Sequence, residues 1–269
     1  MSLMSSFQLP SLLNLRSEQG FTLLEALVAI LTGVIVTSAL LTILEVSLRQ
    51  QARITDRAQA DQIGRTAMSN IVEELHSSCT GATPIQGPNT TPTSPLEKAN
   101  GTNLWFVSAY GNSNSGEPLI EKVTEHDVNW AASTKSSTGE QLGKLTDYSF
   151  TSSAGNSQEG WTFPSLTTAN ATSTKLLAKN VIRPSSGSIF QYSKYESNSA
   201  SSTYGQLVEL SSGELPLTEA TAKNIAKVAI NFTQAPEGED TRIDRNVSFS
   251  DAVVLRVSPT SSGSVSPCE

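Results

Sequence analysis

The chain offers few side chains able to carry out covalent or metal chemistry. It holds 2 His and 2 Cys in 269 residues. Two imidazoles exclude a multi-histidine metal centre, and no His-x-x-x-His pair occurs to start a zinc-hydrolase site. There is no Gly-x-Ser-x-Gly elbow and no Gly-rich loop closing on Lys to cradle a phosphate. His76 falls near the end of a helical pattern and His126 in a strand-like run, and both are expected at a surface or a helix end rather than in catalysis. Glu237, Glu239, Asp240 and Asp244 gather within Pro236–Asn246. Several oxygen ligands on a loop are what calcium needs, but the spacing matches no EF-hand. These residues read as a solvated acidic loop, with a calcium site as the alternative. Trp105, Trp130 and Trp161 read as core or loop anchors rather than a binding cage. No nucleophile, base and orienting group converge in any motif, so the chain reads as a non-enzyme with no cofactor.

One carboxylate stands apart. Glu25 sits inside an otherwise apolar run, in the order Arg16-Ser17-Glu18-Gln19-Gly20-Phe21-Thr22-Leu23-Leu24-Glu25-Ala26. A lone charge in hydrocarbon costs several kcal/mol by most estimates, so it usually has a partner. If the chain were cut after Gly20, the new amino group of Phe21 would be a cation one helical turn away. In a packed assembly the partner could be a neighbour's amino group.

The element that must position Glu25 is the apolar block itself. Ala26 to Leu44 contains no charged residue, and only Thr32, Gly33, Thr37, Ser38 and Thr42 are not hydrophobic. At about 1.5 Å per residue, the block and its flanks form a helix able to cross a bilayer core of roughly 30 Å. The run is too long for a cleaved secretory signal, and no small-x-small site follows it before Arg49. A plain single-span anchor has no use for Glu25. The rest of the chain is different in kind. About a quarter of all residues are Ser or Thr, the formal net charge is −7, and aromatics are 6%. That balance argues against a phosphate-tracking nucleic-acid binder.

Gly20-Phe21-Thr22-Leu23-Leu24-Glu25 followed by a long apolar helix resembles the class III leader of type IV prepilins and type II secretion pseudopilins. The resemblance covers about the first 30 residues. It implies cleavage between Gly20 and Phe21 by a prepilin peptidase, N-methylation of Phe21, and a role for Glu25 in recruiting the subunit into a filament. It also implies other pilin or pseudopilin subunits, an inner-membrane assembly platform and membrane lipid as partners. The implied location is a bacterial inner membrane, single-pass with a cytoplasmic N-terminus, and then a cell-surface or periplasmic filament. Two departures stand out. Arg16 is the only side-chain cation in the leader, and Arg49, Arg53, Arg57 and Arg65 follow the span. A bare count of positive charges therefore orients the helix the opposite way.

The helical pattern continues beyond the span. Ile54, Ala58, Ile63, Ala67, Met68, Ile71, Val72 and Leu75 form an amphipathic stripe on a helix reaching about Ser78. Gly64 is the expected point of bending, and Gly81 and Pro84 end the helix. Residues 81–101 read as a loop. Strands are expected at about Asn103–Tyr110, Ile120–Trp130, Lys144–Thr151, Lys175–Ile182, Ile189–Tyr195, Gln206–Leu210, Ile225–Thr233 and Val247–Val257, with a short helix at Thr218–Lys223. A helix followed by an antiparallel meander is an α+β fold, with the long helix packed on the sheet. The expected organisation is a leader at 1–20, a transmembrane or filament-core helix at 21–48, its amphipathic half at 49–80, and a β-rich domain at 81–269.

The strands around Leu176-Leu177-Ala178-Lys179-Asn180-Val181, Ile189-Phe190-Gln191-Tyr192 and Asp251-Ala252-Val253-Val254-Leu255-Arg256-Val257 resemble the later part of PilW-like minor pilins. The resemblance as a whole implies a pilin-like α+β fold and a minor pilin. A J-like minor pseudopilin of a type II secretion system, or an adhesin or uptake-binding module on the filament, is the alternative. If the domain lies outside the cytoplasm, as the resemblance implies, Cys79 and Cys268 are expected to pair, and two free thiols are the alternative. By disputed chain-entropy reasoning, a bridge closing so long a loop contributes on the order of 5 kcal/mol.

Overall fold

A computed structural model describes residues 22–78, 96–108, 123–136, 139–156, 160–236 and 245–255. The chain divides into two compact units, Met1–Gln51 and Ala52–Glu269. Helix α1, Leu23–His76, is continuous and belongs to both. The first unit consists, among the described residues, of the start of this helix alone.

In the second unit the sequence changes from helical to alternating periodicity, and the strands follow. They are β1 (Leu96–Glu97), β2 (Asn103–Ser108), β3 (Thr124–Lys135), β4 (Gln141–Thr151), β5 (Ala154–Asn156), β6 (Gly160–Thr162), β7 (Ser173–Ile182), β8 (Phe190–Tyr195), β9 (Leu207–Glu209), β10 (Ile225–Gln234) and β11 (Val247–Val254). A short helix, α2 (Glu219–Ala222), precedes β10. Nine strands form one sheet in the order β1-β2-β3-β4-β7-β10-β8-β9, with β11 on β10, and β5 and β6 make a separate hairpin. The pairings are antiparallel throughout. The fold is α+β, with the helix packed on an antiparallel sheet.

The meander expected from the sequence holds only for β1 to β4. Strand β10 intervenes between β7 and β8, although it follows both in the chain. Since β11 pairs with β10 from Lys227 to Gln234, the other edge of β10 is shared end to end. There β8 takes Ile225–Ile230, and β7 takes Thr233 and Gln234. A bulge in β7 makes this junction possible. The β4–β7 register skips between Leu145↔Ala178 and Gly143↔Val181, and Asn180 adopts a φ of 56°. Asn is one of the few residues with a short polar side chain that tolerates this left-handed backbone. Its side-chain amide donates to Pro236 O at 3.0 Å, and its carbonyl accepts from Ala235 N at 3.1 Å.

The second part of α1 packs on the sheet through Ala60, Gly64, Ala67, Met68, Ile71 and Leu75, all buried at three- and four-residue spacing. Ile54 and Ala58, expected in this stripe, are exposed instead, so packing begins at Ala60. Gly64 does not interrupt the helix. It forms a notch filled by the Phe249 ring of β11, which an added Cβ would overlap. The core beneath the helix includes Phe106, Trp130, Leu145, Tyr192, Val228, Ile230 and Phe232. Neighbouring strand residues point to opposite faces, and a second cluster follows on the other face, from Val107, Val123, Phe150, Trp161 and Phe163. The tryptophans therefore divide between two cores and form no cage. Within the stretch read as a loop at 81–101, β1 pairs with β2 through Leu96↔Phe106.

Candidate assembly segment and buried histidine cluster

Every Leu, Ile and Val from Leu23 to Leu48 is exposed, from 86% for Leu23 to 50% for Val28 and Val46. This is the one helix among the described residues long and apolar enough to cross a membrane. The threonine hydroxyls of the apolar block are already satisfied along the helix. Thr32 Oγ1 donates to Val28 O at 2.9 Å, Thr37 Oγ1 to Gly33 O at 2.7 Å, and Thr42 Oγ1 to Ser38 O at 2.9 Å. Back-bonded in this way, they can enter an apolar medium without an unmet donor. Glu45 and Arg49 form an ion pair on the exposed surface beyond the apolar block.

Glu25 is exposed in the first turn. It takes part in a local arrangement that its spacing from Thr22 allows. Glu25 N donates to Thr22 Oγ1 at 3.3 Å, and Thr22 N donates to Glu25 Oε2 at 3.3 Å. Thr22 Oγ1 also donates to the same oxygen at 3.2 Å. This reciprocal pairing of Thr and Glu three residues apart is a capping box. The carboxylate also lies at the positive end of the helix dipole. Gly20 and Phe21 lie outside the described residues, as do Cys79, Cys268, Glu237, Glu239, Asp240 and Asp244.

A second cluster lies where the end of α1 meets the sheet. His126 on β3 is buried, which corrects the expectation of a surface position. Its Nδ1 is 3.0 Å from Asp147 Oδ2 on β4, and its Nε2 is 3.0 Å from Ser108 Oγ on β2. Glu74 Oε2 on α1 lies 3.6 Å from Nε2, and the Phe106 ring stacks on the imidazole with centroids 5.0 Å apart. Ser, His and Asp in this order are the pieces of an acyl-transfer triad. Here, however, Ser108 is 1% exposed, and the neighbouring cavity, about 10 Å³, is no larger than a water. The hydroxyl is buried between the strands and held by the imidazole. Asp147 and Glu74 also face opposite ring nitrogens, so they cannot chelate one ion together with His126. The cluster is an internal clamp joining α1, β2, β3 and β4.

Asp127, next along β3, points to the opposite face between Trp105 and Tyr148, its register partners. Burial raises its carboxyl to about 6. The Asn103 amide, donating at 3.2 Å, opposes the rise, and the Asp147 charge adds to it. The unfolded chain titrates near 3.8. An acid whose folded value is raised binds protons more readily when folded, so stability should increase as pH falls from about 6 towards 4. Asp127→Asn keeps the acceptor for Asn103 and removes the charge. It is expected to raise stability at pH 7 by about 1–2 kcal/mol and to flatten that dependence. Denaturant unfolding at pH 4.5 and pH 7 checks both, and a variant no more stable than the parent at pH 7 contradicts the assignment.

Compared with protein-family models, with curated proteins and with solved structures, the chain matches none. Sequence reasoning missed two features. The capping box was visible as Thr-x-x-Glu at the head of an apolar run. The buried state of His126 was signalled by its sharing a strand face with Val128 and Trp130, both buried.

Proposed function

We propose that this protein is a minor type IV pilin-like subunit, cut after Gly20 by a prepilin peptidase and built into a filament by its N-terminal helix. The observation that carries the reading is the helix from Leu23 to Leu44, apolar on all sides and exposed, with a single carboxylate, in its first turn. A helix apolar all round needs a membrane or an assembly to cover it. In this reading it leaves the inner membrane and packs among the helices of neighbouring subunits. Glu25 then exchanges its cap for the methylated amino group of Phe21 on a neighbour. The β-rich domain is displayed on the filament and has no catalytic role. Its size favours a minor over a major subunit.

The experiment is mass spectrometry of the N-terminal peptide from cells. A mature chain beginning at N-methylated Phe21 is expected. An intact Met1 terminus in an assembled, fractionated form would defeat the reading.

A further inference from the structure

Among the described residues the sheet ends at three strands, β1, β9 and β11, and they are not alike. β1 and β9 end it with two and three residues, whereas β11 runs for eight. Natural sheets usually keep such edges short or covered, because an open edge is a template for another strand.

The hydrogen-bonding direction along β11 follows from two bonds. Asn231 N donates to Ile189 O, away from β11, and Leu255 N donates to Ala226 O on β10. In an antiparallel pair the direction alternates. Val247, Phe249, Asp251 and Val253 therefore bond to β10, and the backbone groups of Ser248, Ser250, Ala252 and Val254 face outward. One of these is guarded: Ala252 N donates to Asp251 Oδ1 at 2.7 Å. Beside this edge, a cleft of about 500 Å³ separates β11 from α1. It is lined by Asp61, Arg65, Met68 and Val72 on the helix and by Phe249 and Asp251 on the strand.

We propose that this cleft is a docking site for an extended segment of a partner polypeptide carrying Lys or Arg, which adds to the sheet as a strand beside β11. The row of outward backbone groups sets the extended conformation, since only a strand meets donors and acceptors at alternate residues. Met68, Val72 and Phe249 set an apolar side chain at alternate positions on the helix side. Asp251 sets the charge. Asp61 is already paired with Arg65 at 3.0 Å. When the incoming carbonyl takes the Ala252 N–H, the Asp251 carboxylate is released to face a cation.

The test uses the full chain in lipid nanodiscs and a random octapeptide library displayed on phage, with recovered peptides resynthesised and their affinities measured. Ser250→Pro removes one outward donor and leaves the bonds to β10, because edge strands accept Pro where the N–H faces solvent. Asp251→Lys reverses the charge. Recovered peptides should alternate apolar and polar residues and carry Lys or Arg, and each variant should weaken them at least tenfold. If Ser250→Pro unfolds the domain, the Asp251→Lys ratio decides alone. Failure to recover peptides, or equal binding by parent and variants, overturns the proposal. Hydrogen exchange supplies a further arm. Ser250 and Ala252 amides already protected in the free chain, and exposed by truncation after Leu255, would assign the edge to residues 256–269. Protection that rises with protein concentration would assign it to a second copy. Either result also overturns the proposal.

Discussion

Replacing Glu25 with Ala and with Gln is expected to cut incorporation into filaments by at least tenfold in both cases, while only the Ala variant weakens the start of the helix. The side chain has two separable roles. In the single chain it closes the capping box with Thr22. Gln serves that role nearly as well as Glu, whereas Ala costs about 1 kcal/mol in the first turn. In the proposed assembly the carboxylate meets an amino group away from water. Removing one partner of such a pair costs about 3–5 kcal/mol, and about 1.4 kcal/mol is already tenfold. Gln cannot supply the missing charge. Leader cleavage, read as the fraction of chains beginning at Phe21, should be largely unchanged in both variants. Filament incorporation, read by quantitative blotting of sheared filaments, separates the roles. Normal incorporation of Glu25→Gln would leave the carboxylate with a capping role alone.

Gly143→Ala is expected to destabilise the β-rich domain by about 3 kcal/mol, and so to lower its melting temperature by roughly 10 °C. Gly143 on β4 is buried, and an added Cβ would overlap the Trp130 indole. The ring has nowhere to retreat. Its Nε1 donates to Val181 O at 3.1 Å, and the Arg183 guanidinium lies over it at 4.4 Å. Overpacking a rigid site costs about 1–3 kcal/mol. Shifting the ring also loses a buried hydrogen bond of about 1 kcal/mol and part of a cation–π contact. Calorimetry in detergent measures the sum. An unchanged melting temperature would mean that Trp130 is not held against β4.

These two residues illustrate what can be read from sequence. The apolar helix and Glu25 were legible because both are local: a run without charge, and one acid within it. Strand β10 was legible because Val228, Ile230 and Phe232 alternate and are all buried. Strands β1, β5 and β6 were not, since segments of two or three residues carry no period. The insertion of β10 between β7 and β8 is a long-range pairing, and nothing near β10 in sequence announces it. Gly143 reads as an ordinary strand glycine until Trp130 is placed beside it. His126 finds its partners on α1, β2 and β4, and only its parity with Val128 and Trp130 hinted at burial. Ile54 and Ala58 fit the helical stripe but have no sheet beneath them. Periodicity indicates which face is apolar and leaves open where the covering layer begins.

The clasp between α1 and the sheet also has a mechanical meaning. Its points of attachment are strung along the helix: Asp56 with Arg245, Gly64 with Phe249, then Ala67, Ile71 and Leu75, and finally Glu74 beside His126. A pull along the helix axis would load all of these together, in shear, rather than peel them one at a time. Resistance to force is then governed by the rate of crossing one large barrier. A head domain held this way is suited to remain attached to its helix when the chain is under tension.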